Sequence, residues 1–136
     1  MLGKFQSSQL RIEVEAEENI LRESILEVDN VSKWFFPFQL DKKLSSKLTT
    51  GAKFKAYIGL VEVNHEVQCI ENNCIRFLLS GGIDGYQEWC WGDGWVQSSL
   101  EGISLLPLKL GHSFNLFKFR EFVGYKMRQL KKENDE

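Results

Sequence analysis

Apolar and polar side chains alternate along LRIEVEAE, with Leu10, Ile12, Val14 and Ala16 on one side and Arg11, Glu13 and Glu15 on the other. A period of two predicts a half-buried strand. In ENILRESILEVDNVSKWFFP the period changes. Leu21, Ile25 and Val28 recur at helical spacing, and Val31, Trp34 and Phe35 follow an Asp29-Asn30 pair, either of which suits an N-cap. Two short helices are expected, the second stopped by Pro37. Leu40, Leu44 and Leu48 predict a further strand, although that spacing also suits a helix.

From Gly51 onward the pattern constrains itself, because residues directly opposed in an antiparallel pair share a face. A two-residue Gly59-Leu60 turn pairs Ile58 with Val61, Ala56 with Val63 and Phe54 with His65. It also sets Lys53 against Glu66 and Tyr57 against Glu62, so apolar meets apolar and charge meets a matching partner. For ENN, a three-residue turn sets Cys69 against Ile75, Val67 against Phe77 and His65 against Leu79; a two-residue turn would mix the faces. Cys69 is then expected inward and Cys74 outward, too divergent for a disulfide between them. Asp93-Gly94 is a strong hairpin turn that pairs Trp91 with Val96, Trp89 with Ser98 and Gln87 with Leu100. These residues join the same inner face if GGIDG (81–85) forms a five-residue loop. If it does not, Glu88 and Cys90 turn inward and Glu88 can pair with His65 as acid and base.

The chain closes on a long helix. Ser113 is the expected N-cap, with His112 exposed beside it. Leu116, Phe119, Val123, Met127 and Leu130 form an apolar stripe flanked by Phe122, and Lys126, Arg128, Lys131 and Lys132 crowd the last turns. About 20 helical residues span ~30 Å, enough to cover a sheet with one apolar face.

Composition narrows the function classes. The 136 residues suit one domain, 1–136, and the net charge of −2 argues against nucleic acid as partner. No segment reaches the ~18 apolar residues of a membrane span, so no stable membrane insertion is expected. No signal-peptide pattern opens the chain, and its 3 cysteines suggest a reducing, cytoplasmic setting. His65 and His112 lie far apart and no cluster has ligand spacing, so neither metal nor cofactor is indicated.

The order of elements resembles the START/Bet v 1-like (SRPBCC) superfamily, which includes polyketide cyclase-like and lipid-transfer proteins. The resemblance rests on LRIEVEAEENILRESILEV, WFFPF, TGAKFKA leading into hairpins, GDGWVQSSLEG and the terminal helix. It implies an α+β helix-grip fold: a curved antiparallel sheet of about six to seven strands around a long C-terminal helix, with two short helices after the first strand. It also implies a cavity for an apolar ligand. It carries over no catalytic residue.

Three polar side chains, His65, Gln87 and Ser98, are expected on the inner face among Phe54, Ile58, Val63, Val67, Phe77, Leu79, Trp89, Trp91, Val96 and Leu100, beneath Phe119, Val123 and Met127 of the helix. Buried polar groups need partners. His65 can bond to backbone, Gln87 and Ser98 can satisfy each other across strands, or a ligand can meet all three. The function expected is binding or transport of a small hydrophobic molecule such as a lipid, isoprenoid, pigment or aromatic. One alternative is a cyclase, dehydratase or isomerase using His65. Another is a protein-interaction module, suggested by LLPLKL (105–110), whose leucines cannot all be inside. A monomer or weak homodimer is expected.

Overall fold

A computed structural model describes residues 3–35, 37–40 and 46–135. β1 (Lys4–Glu13) leads into α1 (Glu18–Leu26) and α2 (Val28–Trp34). Then follow β2 (Gln39–Leu40), β3 (Lys53–Ile58), β4 (Val61–Glu71), β5 (Cys74–Gly81), β6 (Asp84–Gly92), β7 (Trp95–Ser104) and α3 (Leu108–Asn134). The seven strands form one antiparallel sheet in the order β1-β7-β6-β5-β4-β3-β2. The chain thus has the expected α+β helix-grip architecture, a curved sheet holding a long C-terminal helix. Gly85 of β6 meets Gly102 of β7, and a Cβ on Gly85 would fall 1.9 Å from the Glu101 carbonyl oxygen, so this close backbone approach needs glycine.

Two hairpins match the expected register. Gly59, at φ 60°, turns β3 into β4 with Phe54 opposite His65, and the Asp93-Gly94 turn sets Trp89 opposite Ser98 and Gln87 opposite Leu100. The β4–β5 turn differs. It has two residues, Asn72 and Asn73, both left-handed at φ 52° and 60°, a conformation asparagine tolerates. Cys69 therefore opposes Arg76 and lies on the outer face, while Ile70 opposes the buried Ile75. A bulge between Val67 and Cys69 then restores the expected pairs, Val67 with Phe77 and His65 with Leu79. GGIDG is likewise tighter than a five-residue loop, since Gly81 ends β5 and Asp84 opens β6. The shift is an even number of residues, so Gln87 and Trp89 still face inward, and Glu88 lies outside, 3.7 Å from Arg76. No His65–Glu88 pair forms.

The shorter turn also brings Cys74 directly opposite Cys90, with Cα atoms 4.1 Å apart, and the two form a disulfide on the outer face. The bridge overturns the expectation of reduced cysteines; it depends on the register between two strands, which no local pattern gives. Cys69 is unbridged. Alkylation of the unfolded protein should label one thiol without reductant and three with it. Closing 16 residues, the bridge should contribute up to ~3 kcal/mol, measured as the shift in urea unfolding on reduction. Three accessible thiols in the untreated protein would show that the bridge is not formed.

Element ends depart from the sequence reading in a shared way. β1 begins at Lys4 and stops at Glu13, before Val14 and Ala16. α2 is preceded by Glu27, not capped by Asp29 or Asn30, and α3 starts at Leu108, five residues before Ser113. The long helix is capped from a distance: the Leu108 N–H donates to Gln6 Oε1 on β1 at 3.0 Å. In the same manner the Glu18 N–H of α1 donates to Asp93 Oδ1 in the last hairpin at 2.8 Å. Such long-range partners leave no local sequence signal. Of the second predicted strand, Gln39–Leu40 forms β2 and Leu48 is buried beyond it; Leu44 lies outside the described residues.

Candidate ligand-binding site

The space between sheet and α3 is filled unevenly. Over the centre of the sheet Trp34 of α2 wedges inward. Its ring lies 4.9 Å from both Trp89 and Phe119, and its Nε1–H donates to the Ser24 carbonyl at 2.8 Å. Trp89, Trp91, Phe119, Val123 and Val96 are all buried here, and Met127 packs partly buried against the cluster. Trp91 donates to Glu18 Oε1 at 3.0 Å. Trp34 thus fills the centre of the grip.

His65 lies in an aromatic box. Phe54 stacks on it at 4.7 Å and 13°, and Phe35, Phe38 and Phe77 meet it edge-on at 5.6, 5.5 and 5.9 Å. Nδ1 lies 3.2 Å from the Val63 carbonyl oxygen, so it carries the proton and donates. Nε2 is then a bare acceptor, sealed from solvent and without a partner among the described residues. Burial lowers the His65 pKa to about 4, the Val63 bond opposing this only in part. A sealed, neutral imidazole is poorly placed to exchange protons with a substrate. Val63, Val67, Phe77 and Leu79 surround the box as buried core.

An apolar cavity of ≈ 330 Å³ lies under the first turns of α3. Phe38, Ile58, Ile83, Leu100 and Leu108 form much of its wall, and Leu106, Pro107, Leu110 and Phe114 its rim. Of the residues expected at the site, Gln87, Ile58 and Leu100 line this cavity; Ser98 stands behind it, bonded to His112. Phe54, His65 and Leu79 border a separate, more polar groove with Lys53, Asn64 and Glu66; Val123 and Met127 border a hollow beside Val14; and the others are packed core.

The polar side of the cavity is built by residues the sequence reading did not bring together. His112, expected in solvent, is buried; its Nδ1 lies 2.8 Å from Ser8 Oγ and its Nε2 2.9 Å from Ser98 Oγ. The correction follows from the early helix start, which carries residue 112 onto the stripe of Leu116, Phe119 and Val123. Leu108 and His112 extend that stripe backwards in steps of four, a signal present in the sequence. Burial lowers the His112 pKa to about 4. Beside it Gln87 Nε2 donates to Asn115 Oδ1 at 3.4 Å, both residues being buried. Among the described residues no group of His, Cys, Asp and Glu could hold a metal ion.

No family model and no curated protein matches the chain. Solved structures do. CV1439 from Chromobacterium violaceum superposes with a TM-score of 0.67 at 16% identity, covering 86% of this chain and 96% of that one. An AHSA1-like protein from Aeromonas hydrophila gives 0.66 at 13%, covering 89% and 94%. DynU16, from the dynemicin biosynthetic locus, gives 0.64 at 18%; 87% of this chain is matched but only 47% of DynU16. The fold shared with these structures is the helix-grip. At these identities the likeness establishes the helix-grip architecture alone. Within it, one cavity lies at the N-terminal end of α3 and a second, more polar hollow of ≈ 720 Å³ lies beside Val14, Val123 and Met127 towards the other end.

Proposed function

We propose that this single-domain chain binds or carries a small hydrophobic molecule in the cavity under the first turns of α3. The supporting observation is the cavity itself: ≈ 330 Å³ walled by Phe38, Ile58, Ile83, Leu100 and Leu108, with a few buried polar groups at one side. Small-molecule sites have this composition, and the volume is at the lower end of their range. A role in presenting or carrying a ligand fits better than catalysis by His65, whose reactive nitrogen is sealed. Native mass spectrometry of the purified protein, followed by organic extraction, tests for a bound molecule. Leu100→Trp should fill the space and weaken binding of an uncharged dye such as Nile red at least about tenfold, at a stability cost of ~1–3 kcal/mol. Unchanged dye affinity in the folded variant would remove the cavity from the account.

A protein partner is a second reading. Leu105, Leu110, Phe114 and Phe117 are 78%, 57%, 45% and 57% exposed, and Leu110, Phe114 and Phe117 share one face of α3. Light scattering after size exclusion should show self-association if that face joins two copies. Among the described residues no helix is long and apolar enough to cross a membrane. The proposal of a cytoplasmic setting competes with the Cys74–Cys90 bridge, which favours an oxidising one.

A further inference from the structure

Resting on the cavity reading, we infer that the ligand is an uncharged, mainly hydrocarbon molecule about the size of two fused rings, with one hydroxyl or N–H group that donates to Gln87 Oε1.

Size follows from volume. A cavity of ~150 Å³ holds benzene, and this one, at ≈ 330 Å³, is about twice as large. The Trp34–Trp89–Phe119 cluster blocks extension along the helix.

Charge exclusion follows from the wall. Among the described residues no Asp, Glu, Lys or Arg lines the cavity, and the one titratable side chain is His112. Both its nitrogens are engaged by serine hydroxyls at 2.8 and 2.9 Å, a set complete with a neutral ring. An ionised ligand group entering here would lose its hydration and meet no opposite charge, which is costlier than burying a neutral polar group.

The donor preference follows from Gln87. Its Nε2 is used on Asn115, while Oε1 accepts no hydrogen bond among the described residues and is not among the sealed atoms. A carbonyl oxygen at the wall of an apolar space binds a donor and offers nothing to a second acceptor. His112 is held by its two serines and Asn115 Oδ1 by Gln87 Nε2, and Asn115 has a further interaction, so Gln87 Oε1 is the acceptor at the wall for a ligand.

Three probes with one skeleton separate these claims: naphthalene, 2-naphthol and 2-naphthoate, titrated calorimetrically into the purified protein at pH 7.5. A phenolic hydroxyl stays neutral at that pH and a carboxylate does not. Naphthol should bind tightest and naphthoate at least about tenfold more weakly. Gln87→Leu should lower naphthol to the level of naphthalene and leave naphthalene within about twofold; Gln87→Met replaces it if that variant does not fold. Naphthoate binding within about threefold of naphthol overturns charge exclusion. A naphthol preference that survives in the folded Gln87 variant overturns the role of Oε1. If none of the three binds the wild-type protein, the cavity reading itself fails and this inference falls with it.

Discussion

Replacing Trp34 with alanine should remove about 3–5 kcal/mol of folding stability, the range for deleting a large buried aromatic. Trp34 is 2% exposed and stands where α2, the sheet and α3 meet. Its ring packs against Trp89 from β6, Phe119 from α3 and its neighbour Phe35. Truncation removes those contacts and leaves the Ser24 carbonyl without the indole N–H that it accepts. The surrounding residues come from three separate elements and cannot all collapse into the gap. Urea unfolding followed by circular dichroism measures the loss. A cost below about 1.5 kcal/mol, within the range of a tolerated core exchange, would mean that Trp34 is not the wedge described here. Trp34→Phe, which keeps a ring in place, should lose less than the alanine variant.

Acid should weaken the fold before any carboxylate needs to be invoked. His65 and His112 titrate at about 4 in the folded protein against 6.5 for the unperturbed side chain. Their neutral forms are the ones that fit: the unfolded chain takes up protons as pH falls below 6.5, and the native state does not until about 4. Stability from this source is therefore complete above pH 6.5, is lost progressively between 6.5 and 4, and falls no further below that. The full loss is about 3 kcal/mol for each histidine. Urea midpoints at steps from pH 7.5 to 4.5 should show the decline, and His65→Phe should remove about half of its slope. A wild-type stability that stays level across the interval, or an unchanged slope in His65→Phe, would refute the sealed state of these rings.

Much of the sheet was legible because two signals had to agree. At Gly59-Leu60 and Asp93-Gly94 the turn type and the face pattern select the same register, and both hairpins adopt it. At Asn72-Asn73 the signals disagreed. Face matching favoured a longer turn, whereas the chain keeps the short one and inserts its extra residue further back. The outer disulfide could not be read without that register. Helix starts were hidden for another reason, since Gln6 and Asp93 supply acceptors from 102 and 75 residues away. His65, Gln87 and Ser98 face inward as the alternation predicts, but alternation does not give their partners. Ser98 bonds to His112 from the helix, and Gln87 to Asn115. The extent of open space was least legible of all, because it depends on where one tryptophan from a short helix comes to rest.

The irregularity at residue 68 bears on how this chain should be aligned with others. The pairs on either side of it, Val67 with Phe77 and Cys69 with Arg76, would become consecutive rungs if Gln68 were deleted. A homologue one residue shorter here could keep every remaining partner. A gap placed by habit in the Asn-Asn loop would instead shift residues 69–71 by one position and turn each to the opposite side of its strand. Comparisons across this hairpin should be anchored on the paired strands, with the length difference absorbed at position 68.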